Sequence, residues 1–464
     1  MKNPLLLIFL STLTLGVAIS CDKESNDAPN IVIIVADDLG FGDVGFHGSD
    51  IKTPNIDRIA RDGVELDNFY SCPMCSPTRA GLMTGRYPLR YGLMRSVIPP
   101  YREFGLSTEE ETMAEMIVKS GYKYRGITGK WHLGHRQQKW IPTNRGFTFF
   151  EGCHNGAIDY FTHTRDGELD WHENDQPSAK EGYATDLIGQ AAIRFIESVP
   201  EEEPFFLYVP FNAPHSPFQA KPEDIAKYPD REGNRQVFAG MVDCMDQNIG
   251  KIIQSIEDRE QLDNTFILFF SDNGGVLRVS SNGNLRGAKL TPFQGGIRVA
   301  AAAMWKDGGV TGGKVIKELM GYIDVFPTIM EVSNYTGSPV NELDGISVLS
   351  AMKGEKLNHR NWFTYLDQSP EKAEILAIHN NKWKLILKRN APDAENVAED
   401  TLLFQISVDP YEKTDLARQY PNEVESLLNE LYQFYDLKSL NQIARFSDRG
   451  KQYGESIPNW QPTD

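Results

Sequence analysis

The stretch Asn30-Ile31-Val32-Ile33-Ile34-Val35-Ala36-Asp37-Asp38 decides the fold. Its residues 31–35 are all apolar and β-branched, so neither alternating face carries a polar group. A strand of that kind is buried on both sides, the pattern of a parallel sheet covered by helices. Downstream, Thr53-Pro54 supplies a helix start and Gly63 a stop. Further helices are expected over residues 112–120, 183–199 and 236–256, and further strands over 124–128, 205–209 and 265–271. Strands alternating with helices imply an α/β fold, with a large mixed, mostly parallel sheet sandwiched by helices. From residue 346 the pattern changes. Residues 362–365, 376–379, 383–387 and 402–405 read as short strands and 421–435 as a helix, which makes a smaller C-terminal α+β subdomain. Asp409-Pro410-Tyr411-Glu412 reads as the turn between its last strand and its helix.

The chain has 464 residues, 40% hydrophobic and 24% charged, a globular composition. Its net charge of −17 repels nucleic acid, so no nucleic-acid partner is expected. An anion site would need a local cluster of cations and helix N-termini working against that field. At the N-terminus, Lys2 precedes an apolar run over 5–17 that is too short to span a bilayer. It ends in Ala18-Ile19-Ser20-Cys21, which resembles a bacterial lipoprotein signal with Cys21 as the lipidated first residue, an ordinary secretory peptide cleaved nearby being the alternative. The expectation is export and lipid anchoring at a bacterial membrane, on its periplasmic or cell-surface face. The other cysteines are Cys72, Cys75, Cys153 and Cys244. Cys72 and Cys75 have a C-x-x-C spacing, but Pro73 and the Ser-Pro-Thr-Arg that follows point away from zinc, and no His-rich tract suggests it.

Polar clusters follow directly on the expected strands: Asp37-Asp38, then Lys130 and His132, then His215, then Asp272-Asn273. Ligands of open α/β sheets bind at the carboxyl ends of strands, so these segments are expected to meet at one edge. Cys75-Ser76-Pro77-Thr78-Arg79 reads as a helix start that Gly85 closes. Cys75 then sits where free amides and the helix dipole favour an anion, and Arg79 faces the same way one turn on. The alternative is a buried cysteine in a strand-to-helix loop. Asp37, Asp38, Asp272 and Asn273, if brought together, are a hard oxygen set suited to Ca²⁺ or Mg²⁺; two unrelated Asp-rich loops are the alternative. Lys130 and His132 project to the same side if their segment is extended. Prolines flank His215 on both sides, in Pro214-His215-Ser216-Pro217.

The run Cys75-Ser76-Pro77-Thr78-Arg79-Ala80-Gly81-Leu82-Met83-Thr84-Gly85-Arg86 resembles the maturation signal of the type I sulfatases of the alkaline-phosphatase superfamily. The resemblance implies the fold of that superfamily for the catalytic domain. The expected division of the chain is a signal peptide over 1–20, a tether over 21–29, a catalytic domain over 30–345 and a C-terminal subdomain over 346–464. It implies that a formylglycine-generating or sulfatase-maturating enzyme oxidises Cys75 to Cα-formylglycine. A hydrated aldehyde has two hydroxyls: one attacks sulfur, and the other expels sulfate as the carbonyl reforms. It also implies Ca²⁺ bound by Asp37, Asp38, Asp272, Asn273 and an oxygen of modified Cys75. Lys130 and Lys289 become sulfate contacts, joined by Arg79 in neutralising the sulfuryl group. His132 becomes the contact to the hydrate, and His215 the proton donor to the leaving oxygen. Where such proteins commonly carry Glu before paired glycines, this chain has Gln294 before Gly295-Gly296, a change expected to touch loop support more than activity.

The segments Pro142-Thr143-Asn144-Arg145-Gly146-Phe147, Asp159-Tyr160-Phe161-Thr162-His163 and Gly182-Tyr183-Ala184-Thr185-Asp186-Leu187 resemble the arylsulfatase B-like branch. That implies a sulfated glycan substrate, exo action, and 4-O-sulfated galactose or N-acetylgalactosamine units. Asp159, His163, Arg165, Trp171 and His172 are candidates for the sugar pocket, with an ordinary surface insertion as the alternative. Two competing functions are a phosphodiesterase or phosphonate monoester hydrolase of the same superfamily, and a non-catalytic surface glycan-binding protein.

Overall fold

The structure is a computed structural model that describes residues 28–369, 372–390 and 397–448. The expected signal segment, Cys21 and most of the tether lie outside the described residues. The main sheet contains β1 (Asn30–Ala36), β2 (Val64–Leu66), β3 (Tyr124–Lys130), β4 (Phe149–Cys153), β5 (His172–Glu173), β6 (Gln176–Pro177), β7 (Phe205–Pro210), β8 (Thr265–Ser271), β9 (Ala301–Met304) and β10 (Lys314–Ile316). Their spatial order is β10-β2-β9-β8-β1-β7-β3-β4-β5-β6. The central run β8-β1-β7-β3-β4 is parallel throughout, and antiparallel pairs flank it on both sides. The expected mixed, mostly parallel sheet is therefore present.

β1 shows why a continuous apolar run makes such a strand. Ile31, Ile33 and Val35 enter one apolar core, and Val32, Ile34 and Ala36 enter the other, all without solvent exposure. Each such aliphatic side chain contributes about 1.5–3 kcal/mol on burial, so a one-residue register slip is disfavoured only by lost pairing and packing, not by polarity. The helices α1 (Pro54–Asp62), α2 (Cys75–Thr84), α3 (Ala184–Ser198) and α4 (Gly233–Glu257) cover the sheet. Ile56 of α1, Ile188 of α3 and Ile249 of α4 pack into the core of Val32, whereas Ala80 and Leu82 of α2 pack into the core of Ile31. The helix expected over 112–120 is split into an α-helical turn, Met113–Ile117, and a 3-10 turn, Val118–Ser120. Thr112 and Glu115 form a reciprocal capping box at its start.

The C-terminal sheet is an antiparallel meander of β11 (Trp362–Leu366), β12 (Glu374–His379), β13 (Lys384–Asn390) and β14 (Ala398–Phe404), followed by α5 (Pro421–Tyr435). β14 begins before its apolar stretch because Ala398, Glu399 and Asp400 pair with Asn390, Arg389 and Lys388 in an exposed arm of the hairpin. Trp362, Tyr365 and Leu376 join Leu431 of α5 in the same core as Ile31. The smaller sheet thus completes one face of the larger one. Cys72, Cys75, Cys153 and Cys244 are all free and buried. Among the described residues, no helix is long and apolar enough to cross a membrane.

Candidate active site

Adjacent parallel strands end at the same edge, and each delivers a polar group there. Asp37 and Asp38 follow β1, Asp272 and Asn273 follow β8, Lys130 is the last residue of β3, and His215 lies in the loop after β7. Asp37, Asp272 and Asn273 have no solvent exposure, and Asp38 has almost none. Three cations offset their charge. Lys130 pairs with Asp37 Oδ2. Arg79 donates to Asp272 Oδ2 from Nη2 at 2.7 Å and from Nε at 3.0 Å. Lys289 reaches Asp38 Oδ1 at 2.5 Å.

Even so, Asp37 Oδ1 and Asn273 Oδ1 are buried without a hydrogen-bond partner. The remaining oxygens are weakly held: Asp38 Oδ2 has His215 Nε2 at 3.6 Å, and Asp272 Oδ1 takes the Asp38 N–H at 3.4 Å. Ligand atoms of Asp37, Asp272 and Cys75 all lie within 4.8 Å of one another. Two buried, unpartnered hard oxygens, from Asp37 and Asn273, beside the carboxylates of Asp38 and Asp272 fit a divalent calcium-type ion.

Cys75 is the first residue of α2, and Gly85 ends the helix in the left-handed region with its N–H on Gly81 O. The remainder of the motif builds the surroundings. Ser76 Oγ donates to His132 O at 3.0 Å and accepts from Ile98 N at 3.2 Å. Thr78 Oγ1 accepts from Cys72 N at 2.9 Å. Arg79 turns inward, donating from Nη1 to Lys130 O at 3.1 Å as well as to Asp272. It therefore braces the strand ends from beneath instead of facing the cleft. His132 does come to the same site as Lys130, but not through an extended segment: the strand stops at Lys130, and His132 sits at φ 58°. Its N–H donates to His154 O, and its Nε2 contacts Ile98 O at 3.1 Å.

Lys289 arrives on a loop that only glycines permit. Gly274 N donates to Gly296 O at 3.0 Å, and a Cβ on Gly274 would lie 1.9 Å from Gly295 O. Two Gly-Gly pairs therefore pack backbone to backbone, and Lys289 N donates to Gly275 O at 3.1 Å. From the other side the C-terminal turn holds this loop. Gln294 N donates to Glu412 Oε2 at 2.7 Å, and Arg286 Nη1 donates to Glu412 O at 2.8 Å. Glu412 also pairs with Lys384 at 2.7 Å, both side chains being fully buried. Gln294 itself accepts from Tyr70 Oη at 3.1 Å. A carboxylate at 294 would add a second buried negative charge beside Glu412. The Asp409–Glu412 turn was legible in the sequence, but nothing there marked Glu412 as a strut for the Lys289 loop.

Above Cys75 lies a cleft of about 250 Å³, lined by Ile98, Pro99, His132, Arg165, His215 and Lys289 among others. Of the expected sugar-pocket residues, Arg165 lines it. His163, Trp171 and His172 are buried, and Asp159 accepts from Phe161 N, Thr162 N and Gln219 Nε2. Their side chains face the protein interior or cap a turn, which a polar sequence segment does not reveal.

Burial sets the protonation of the site. It pushes the Cys75 thiol up, more than Lys130 and Lys289 pull it down. Burial raises Asp272 to about 6, with Asp37 adding to the rise and Arg79 opposing it. For Asp38, burial is outweighed by Lys289 and His215, which hold its carboxyl well below the usual range. Burial drives His132 far below its usual value, and Lys130 and Arg79 add to this. Burial also lowers His215, against the pull of Asp38. An unmodified, neutral Cys75 beside neutral imidazoles is a poor nucleophile.

The family model described as Sulfatase matches residues 29–335. The chain belongs to the sulfatase family. The sulfatase is 32% identical over 456 residues to arylsulfatase J of Mus musculus, covering 88% of this chain and 75% of that one. It is 35% identical over 363 residues to N-acetylgalactosamine-6-sulfatase of Homo sapiens, covering 73% of this chain and 68% of that one. Among solved structures, Ps i-CgsB in complex with k-i-k-neocarrahexaose superposes with a TM-score of 0.82 at 30% identity, covering 91% of the sulfatase and 95% of that chain. The sulfatase is a sulfuric ester hydrolase with carbohydrate sulfatases among its relatives.

Proposed function

We propose that the enzyme removes sulfate from sulfated glycans by exo action, using a calcium ion and a formylglycine made from Cys75 by a maturating enzyme. The observation that carries this reading is the position of Cys75 at the N-terminus of α2, with Asp37 and Asp272 beneath it and His132, His215 and Lys289 around the cleft above. Asp37, Asp38, Asp272 and Asn273 are the residues that would hold the ion. When present, the two groups supply a Lewis acid and a nucleophile whose second hydroxyl releases sulfate.

This chain's own residues do the rest. Three carboxylates face three cations, so the site is balanced without a metal, and a divalent ion leaves it positive. That local excess attracts an anionic ester into a chain of net charge −17. Lys289 stands at the cleft and is placed to meet a sulfate oxygen, while Lys130 and Arg79 hold the potential positive from below. His132 lines the same cleft as Cys75. His215 is 18% exposed at the cleft, placed to give a proton to the departing sugar oxygen. An anionic ester beside its ring raises its proton affinity at the moment the proton is needed.

For the substrate we favour 4-O-sulfated galactose or N-acetylgalactosamine units, on the arylsulfatase B-like segments. The name of the human relative favours a second reading, the 6-position of N-acetylgalactosamine. We further propose export and lipid anchoring through Cys21; Cys21→Ser should then move the enzyme from the membrane to the soluble fraction. The central test uses protein produced with a maturating enzyme. Peptide mass spectrometry should find formylglycine at position 75, and sulfate release should be compared on 4-O- and 6-O-sulfated saccharides and a phosphonate monoester. Preferred turnover of the phosphonate overturns the proposal, and 6-O preference replaces only its positional part.

A further inference from the structure

A second cluster of metal-ligating side chains lies behind the wall of the cleft, outside the site described above. His154 directly follows β4, Asp170 precedes β5, and His172 opens β5 and pairs with Gly152 across the strands. His154, Asp170 and His172 are all buried, with solvent exposures of 1%, 0% and 0%. Ligand atoms from the three lie within 4.8 Å of one another.

The polar accounting of this cluster does not close. Both ring nitrogens of His154 and both of His172 are buried without a hydrogen-bond partner. His172 Nδ1 stops 3.6 Å from Asp170 Oδ1, beyond hydrogen-bond range. Buried donors and acceptors are rarely left so; four orphaned imidazole nitrogens in one place call for an occupant. Asp170 is meanwhile fixed by the loop it faces: Oδ1 accepts from His154 N at 3.1 Å and Oδ2 from Asn155 N at 2.9 Å. Each of its oxygens keeps a lone pair.

We propose that His154, Asp170 and His172 form a second metal site for a borderline divalent transition ion of the zinc class. Two imidazoles and one carboxylate are a donor set for such an ion and a poor one for calcium, which takes oxygen ligands. The two rings are stacked at 4.0 Å and 27°, with Phe150 on the far side of His154 at 5.1 Å. To share one ion beside Asp170, the two imidazoles would turn from this stack to meet it edge-on. The ion ties the end of β4 to the β5–β6 hairpin. It also steadies the cleft, because His132 N donates to His154 O and Gly156 packs directly on the His132 ring.

The test strips the full-length protein with a chelator, refills it with saturating calcium, and titrates it with Co²⁺ and with Zn²⁺. We expect one Co²⁺ per chain with visible d–d absorption, displaced by Zn²⁺. His154→Gln and His172→Gln should each weaken that binding by at least the roughly 10–100-fold typical of damaging a metal site, with calcium binding and circular dichroism unchanged. Absence of a Co²⁺ equivalent in the wild type, or the same equivalent and spectrum in both variants, overturns the site. Should the variants fail to fold, X-ray absorption on the zinc-loaded wild type decides. Nitrogen and oxygen neighbours at about 2.0–2.2 Å support the site, and a sulfur neighbour at about 2.3 Å overturns it by putting the ion at a cysteine.

Discussion

At the carboxyl edge of the main sheet, three carboxylates face three cations, and Asp37 Oδ1 and Asn273 Oδ1 still have no partner. At the seam with the smaller sheet, Lys384 and Glu412 close on each other at 2.7 Å, and the second Glu412 oxygen takes Gln294 N. Both places bury charge at high desolvation cost. The difference lies in what is left over. The first keeps hard oxygens unpaired and lets Lys289 and His215 reach solvent, so it is built to take ligands. The second sets its two charges directly against each other and gives its other carboxylate oxygen to a backbone amide, so it is built to hold a loop. That loop, 285–297, carries Lys289 from the second place to the first.

The comparison breaks most sharply at Cys75. Cys75→Ala should lower sulfate release by about 10⁴-fold or more, the scale of deleting a nucleophile, with little change in melting temperature. Retained activity would mean that the open edge is not where chemistry happens. His215→Ala should cost about 10²–10⁴-fold in kcat, and less on an aryl sulfate whose leaving group needs no proton. An equal loss on both substrates would make His215 a binding group only. Glu412→Ala strands Lys384 in the interior and should destabilise the fold by about 3–5 kcal/mol, read by denaturant unfolding. A rise in KM larger than the loss in kcat would further show that the strut acts through Lys289. Calcium at 100 times its dissociation constant should add about 2.7 kcal/mol of stability, an increment that Asp37→Asn removes. An unchanged increment would place the ion elsewhere.

The smallest effect concerns pH. Asp246 accepts from Asn55 N and Ile56 N at the start of α1. Burial still raises its carboxyl from 3.8 to about 6. The folded state therefore holds this proton more tightly than the unfolded chain. The stability this contributes is complete below about pH 4 and is lost as pH rises through about 6. Asp246→Asn should flatten that part of the melting profile by roughly 2–4 °C.

How much was legible depended on range in the sequence. β1, α2 and the placement of Asp37, Asp272 and Cys75 followed from local patterns: a β-branched run, a helix start, acids after strands. The N-terminal arm of β14 was not legible, because Ala398–Asp400 are held in the strand by pairing and not by apolar burial. Nor was the inward turn of Arg79, which depends on a carboxylate 193 residues away.

By itself the sequence determined the layered α/β class, the identity of the Cys75 motif and the order of the chemical segments, because strand patterning and short motifs are written in neighbouring residues. Tertiary structure decided which of those groups face the cleft. It set His132 at φ 58° and gave Glu412 its role across 118 residues. It also brought His154 beside Asp170 and His172, where cysteine spacing and histidine tracts had pointed to no zinc. The physical reason is the same in each case: burial and pairing belong to residues that meet only when the sheet has closed.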